Sequence, residues 1–173
     1  LLEAGMPDVR AVKASVDGGA PQSLCEMPGT AVGGSWNRAG DILLGNALGG
    51  LFHCPATGGR ATSVTVADLA KGERHVFSSF LSDGRRFLYL RISRTNPETS
   101  GIYLGELGTE SRSVGNRLIT TGFGAAFVAA SGSGPGAIVF ARDGALFAQR
   151  FDEQRLELIG DPISMYLSDI YTV

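Results

Sequence analysis

Short apolar runs, most of them alternating with polar residues, follow one another along this chain, and a glycine-bearing turn sits in most gaps. Residues 79–90 show the pattern best. Phe80 and Leu81 lead into Ser82-Asp83-Gly84, and Phe87, Leu88, Tyr89 and Leu90 follow. An Asp-Gly pair between apolar runs predicts a β-hairpin, because glycine takes the positive φ that the tight turn demands. Weaker copies flank it. Residues 8–15 alternate through Val9, Ala11, Val12 and Ala14, close on Asp17-Gly18-Gly19, and lead to a short strand over 21–25. Gly33-Gly34-Ser35-Trp36-Asn37 precedes a turn at Arg38-Ala39-Gly40 and the apolar Ile42, Leu43 and Leu44. Further strands are expected over 51–55, 61–66, 75–81, 86–92, 101–107, 117–120, 125–130, 137–142, 145–151 and 163–166. Polar loops fall at 93–100 and 131–136. No window holds a 3.6-residue period for three turns, so almost no helix is expected.

The Gly18-Gly19 pair returns as Gly58-Gly59, 40 residues on, with a similar short strand after it. Four short strands per repeat of about 40–50 residues is the signature of a β-propeller blade. A lone blade leaves a face bare; blades stacked around an axis bury both faces and remove most edges. The expected fold is therefore all-β, with four-stranded antiparallel blades over 8–25, 33–66, 75–120 and 124–166, and a further blade starting at 168–173. That makes about three full blades with partial ones at both ends, treated as one domain. Phe87, Leu88, Tyr89, Ile102, Leu104, Ile138, Phe140, Leu146 and Phe147 are the expected core between blades.

Composition narrows the classes. The chain has 173 residues and a net charge of −2, enough for one real core. Its charged fraction of 18% is low and its 25 glycines are about twice the usual share, which suits turns and strands and not disorder. Scattered arginines form no basic stripe, so nucleic acid is not an expected partner. No apolar run approaches the ~18 residues that span a bilayer. Leu1-Leu2, followed by Glu3 and Gly5, does not read as a signal peptide. Strand-like sequence at both ends and a first residue other than Met suggest a piece of a larger protein. Two cysteines, Cys25 and Cys54, make neither a disulfide framework nor a zinc site, and are expected as two small buried side chains.

Several motifs carry a resemblance. They are Gly18-Gly19-Ala20-Pro21-Gln22-Ser23-Leu24-Cys25, Gly33-Gly34-Ser35-Trp36-Asn37, Gly58-Gly59, and Phe80-Leu81-Ser82-Asp83-Gly84-Arg85-Arg86-Phe87-Leu88-Tyr89. Gly101-Ile102-Tyr103-Leu104-Gly105, Phe140-Ala141-Arg142-Asp143-Gly144 and Phe151-Asp152 complete the set. In these the chain resembles the TolB-like, WD40-like propellers, in particular the propeller domain C-terminal to the kinase in some bacterial serine/threonine protein kinases. The likeness covers about residues 8–163. Arg38-Ala39-Gly40 departs from the Pro-Asp-Gly turn that family prefers. The resemblance implies a ring of about six blades, completed by more chain or by a second copy, unless the terminal strands share a blade in a four-bladed ring. A sensor role would imply an extracytoplasmic setting.

Candidate chemistry is sparse. Glu73-Arg74-His75 precedes the inner strand of the best repeat, where a propeller's rim binds ligands. An ordinary histidine titrates near neutrality, so His75 suits a metal ligand, a proton carrier or a ligand contact; the competing reading is a loop histidine bonded to a neighbouring blade. Asp68 and Glu73 complete a weak acid/base or oxygen-ligand set, and Arg74 and Trp36 are candidate ligand contacts. For Trp36, core packing competes with a stacking surface for a sugar or peptide. His53 reads as a satisfied strand histidine. Asp83 and Asp143 read as turn residues whose carboxylates accept nearby N–H groups. Arg85, Arg86, Arg91 and Arg94 read as a solvated edge. Gly132, Gly134 and Gly136 lack the Lys and helix of a phosphate loop.

No cofactor and no metal site is expected, with a channel calcium or zinc left open. Three function classes remain. The first is a non-catalytic binding or sensor module for a small molecule, peptide or protein. The second is a propeller hydrolase of glycosidic or ester bonds, which needs Glu73, His75 and Asp68 around one cavity. The third is an assembly module that pairs open blade edges, with a homo-oligomer that completes the ring as one form of it.

Overall fold

A computed structural model describes residues 8–108, 111–112 and 116–165. The last expected strand, at 168–173, lies outside them. The described chain is all-β. Its only helical segments are single 3-10 turns at Leu69–Lys71 and Pro97–Thr99.

Four antiparallel sheets follow one another in chain order. Sheet I holds β1 (Val9–Lys13) and β2 (Gln22–Met27). Sheet II is β3 (Ala31–Trp36), β4 (Asp41–Asn46), β5 (Phe52–Pro55) and β6 (Thr62–Ser63), each paired with the next. The expected strand over 61–66 is split. β7 (Thr65–Val66) leaves sheet II and pairs in parallel with β11 (Ser111–Arg112). Sheet III is β8 (Arg74–Phe80), β9 (Arg86–Ile92) and β10 (Gly101–Glu106). Its expected fourth strand at 117–120 shrinks to one bridge, Ile102 to Ile119. Sheet IV is β12 (Ala125–Val128), β13 (Gly136–Arg142), β14 (Ala145–Asp152) and β15 (Glu157–Met165). Among the described residues no sheet closes into a barrel.

Two-residue alternation explains the core. A strand sends successive side chains to opposite faces, and a strand apolar at every position is buried on both. On β9, Phe87 and Tyr89 join Leu43, Leu51 and Tyr103 between sheets II and III. The intervening Leu88 and Leu90 join Ile102, Ile138, Phe140 and Phe151 between sheets III and IV. On β4, Leu43 faces sheet III while Ile42 faces sheet I beside Leu24, Cys25 and Cys54. The sheets are thus stacked face to face.

The cysteine expectation is corrected. Cys25 of β2 and Cys54 of β5 are bonded to each other, with Cα atoms 6.0 Å apart. Burial was anticipated and pairing was not: the residues stand 29 positions apart, and only the stacking of sheet I on sheet II brings them together.

The first strands of sheets II, III and IV lie side by side. Ser35 Oγ of β3 is 3.2 Å from Ser78 Oγ of β8, and Phe127 N of β12 donates to Ser79 Oγ at 3.0 Å. β3 and β8 share a bulge, with one extra residue between Ala31 and Gly34 and between Val76 and Ser79. In β8 the bulge holds Phe77 at φ 51, left-handed backbone that a bulky residue rarely adopts. Phe77 is wedged against Gly33 and Gly124: a Cβ on either would come within 2.6 or 2.8 Å of it.

Candidate functional site

Glu73, the residue before β8, meets His75 of β8 and Arg91 of β9. Glu73 and His75 are two residues apart, and His75 pairs in register with Arg91. They form one buried network. Glu73 Oε1 lies 2.8 Å from His75 Nε2, Glu73 Oε2 accepts from Arg91 Nη2 at 3.0 Å, and His75 Nδ1 lies 2.7 Å from Thr65 Oγ1. Thr65 Oγ1 in turn accepts from Leu51 N at 2.8 Å. A single neutral tautomer satisfies the chain: Nε2–H donates to the carboxylate, and Nδ1 accepts from the threonine hydroxyl. Burial holds the His75 imidazole below its ordinary pKa, partly opposed by Glu73.

This corrects the rim reading of His75. The side chains of Glu73 and His75 are 0% exposed, and both ring nitrogens of His75 are engaged. Neither touches solvent, so neither is placed to meet a substrate or ligand. Arg91 is corrected too. It is no solvated edge residue, but holds the Glu73 carboxylate and lies over Tyr103, 5.2 Å from the ring centroid. Arg85 and Arg94 are exposed as expected.

Asp68 does not join them. It caps the 3-10 turn, accepts from Ala70 N and Lys71 N, and pairs with Lys71 at 3.0 Å. The three residues of the hydrolase reading therefore share no cavity. Asp83 accepts from the N–H groups of Arg85 and Arg86, the turn role expected of it. His53 binds Asp41 at 2.8 Å, and Asn37 donates to the other oxygen of that carboxylate at 2.9 Å. Among the described residues no three His, Cys, Asp or Glu side chains converge as a metal site.

Trp36 departs most from packing. It is 55% exposed at the end of β3. Its cross-strand partner Ile42 faces sheet I, yet among the described residues sheet I has two strands and bonds to β5, and none of them covers Trp36. Trp36 lines an open cleft of about 600 Å³ with Asn37, Arg38, Phe80, Asp83 and Phe127. Trp36 and Phe80 end β3 and β8, and Phe127 is the last residue but one of β12; they stand three residues after Gly33, Phe77 and Gly124 respectively. Asn37 Nδ2 donates to Gly84 O at 2.6 Å and fixes one wall to the other. Aromatic faces beside an exposed arginine and an amide suit sugar rings or peptide side chains. Arg74 is exposed and lines a different cavity at the other end of β8.

Phe80, Phe127 and Arg38 were not among the site residues expected from sequence. The available signal was an aromatic three residues after a glycine in two of the repeats, Gly33 to Trp36 and Gly124 to Phe127. In comparisons with known proteins the chain matches no family model and no curated protein.

Proposed function

We propose that this chain is a non-catalytic binding module of propeller type, with the Trp36 cleft as its ligand surface. One observation carries the reading. The exposed aromatic and hydrogen-bonding groups gather where the first strands end, while the acid/base candidates Glu73 and His75 are sealed away. The face-to-face stack of meandering sheets with adjacent first strands supports propeller geometry. The buried disulfide supports an oxidising compartment, where such bonds persist.

A second reading has its own support. β1 has an unpaired edge among the described residues, and sheet I leaves Trp36 bare. Strands from another chain added along β1 would complete the sheet and cover the tryptophan.

Trp36 is the only tryptophan, so its fluorescence tests both readings. Titration with oligosaccharides and short peptides at fixed protein concentration is expected to give a saturable change that Trp36→Ala abolishes without altering the melting temperature. A blue shift that grows with protein concentration alone would support strand addition. Emission indifferent to both would defeat both.

A further inference from the structure

We propose a second binding site, for a small organic monocarboxylate with an apolar body, between sheets III and IV. It stands apart from the Trp36 cleft and does not rest on that reading. A cavity of about 640 Å³ opens there, lined among others by Arg74, Ile92, Thr120, Phe123, Arg142 and Asp143. That volume falls in the range of about 300–1,000 Å³ typical of small-molecule sites. Arg74 begins β8 and Phe80 ends it, so this cavity and the cleft lie at opposite ends of one strand, about 20 Å apart at ~3.3 Å per residue.

Charge defines the ligand. Arg10, Arg85, Arg86 and Arg91 each pair with a carboxylate. Arg74 and Arg142 line one concavity and pair with no carboxylate among the described residues. Arg142 is already held in place: its guanidinium carbon sits 4.9 Å from the Phe147 ring centroid and 5.6 Å from that of Phe140. A stacked guanidinium keeps its in-plane N–H groups free to form a fork with a carboxylate, and being fixed beforehand it loses little freedom on binding. Asp143 brings the wall's formal charge to +1, which favours one carboxylate over a dianionic phosphate. Phe123, 60% exposed, and the half-buried Ile92 offer the apolar wall.

The test is calorimetric titration of the intact chain with 4-phenylbutyrate and, separately, inorganic phosphate. Saturable phenylbutyrate binding is expected, with phosphate weaker by about tenfold or more, and each of Arg74→Gln and Arg142→Gln weakening phenylbutyrate by about tenfold, the worth of one charge-assisted contact. Trp36→Phe should leave it unchanged. No binding at about 10 mM, a Kd near the 1 mM mark or tighter that neither arginine variant changes, or phosphate binding as tight as phenylbutyrate overturns the proposal. If a variant fails to fold, amide shift mapping on the wild-type chain decides. Shifts at Phe123 and Asp143 are expected, and shifts clustered at Trp36 overturn it.

Discussion

Glu73 Oε1 and His75 Nε2 lie 2.8 Å apart with both side chains wholly removed from solvent, and the second carboxylate oxygen is held by Arg91. Removing the imidazole would leave Glu73 Oε1 and the Thr65 O–H buried without their partner, while Arg91 and Leu51 N keep theirs. His75→Ala is expected to destabilise the fold by about 3 kcal/mol or more. Urea unfolding at pH 7.5 measures it, and a loss under about 1 kcal/mol would show that the network carries no weight.

The same histidine predicts a pH dependence. Its folded pKa lies below the ordinary 6.5, so the unfolded chain takes up the proton first as pH falls. The contribution of neutral His75 is complete above that value and declines as pH drops below it. Stability should thus fall as the pH drops below about 6.5, and the gap between wild type and His75→Ala should narrow there. Asp41, held below its usual 3.8 chiefly by the Asn37 hydrogen bond, acts lower. Its contribution is present above that value and is lost as the pH falls through the folded pKa. Equilibrium unfolding across this range would expose a wrong sign as stability rising on acidification from neutrality.

The Cys25–Cys54 bond closes a loop of 29 residues between sheets I and II. Loop-closure entropy puts its worth at about 3–4 kcal/mol. The double variant Cys25→Ala with Cys54→Ala should lose roughly that much in chemical denaturation. An unchanged midpoint would mean that the apolar contacts alone hold sheet I.

Gly33→Ala should disturb the inner strands. The new Cβ would fall 2.6 Å from Phe77 Cδ1 and 3.2 Å from Phe77 Cα, at a backbone φ of 68. A loss of about 1–3 kcal/mol is expected, from crowding and the left-handed backbone together. Repeating it in a Phe77→Ala background should recover part of the loss, and strict additivity would show that the two do not interact.

Gly84→Val bears mainly on the backbone. Gly84 has φ 67 in the turn of the central hairpin, and its Cβ would have room, with Asn37 Nδ2 at 3.4 Å. The expected cost of about 1 kcal/mol or more comes from φ, to which crowding of the valine methyls against Asn37 adds. Thermal unfolding checks it, and no change would contradict the turn geometry.

Most strands were legible because alternation and Asp-Gly or Gly-Gly turns are local signals. Leu88 beside Tyr89 already implied a strand buried on both faces. What sequence did not show depends on which sheet covers which face. Alternation put Arg91 on a face but not against Glu73, although its pairing with His75 and the two-residue step back to Glu73 make the triad readable in retrospect. Trp36 has the character of a core residue and is exposed because, among the described residues, sheet I is two strands wide. Thr65 looked like any residue of a β-branched strand, and its hydroxyl matters because β7 turns away from β6.

Sheet I, two-stranded among the described residues, is tied to β5 by its disulfide. A hairpin alone is marginal in water, so β1 and β2 should part from their neighbours more often than the inner sheets do. The covalent link to β5 keeps them within reach each time, so that opening is a local, self-reversing motion. In the oxidised protein, amide protons of β1 should exchange early without a rise in global unfolding; once reduced, that separation of timescales should disappear.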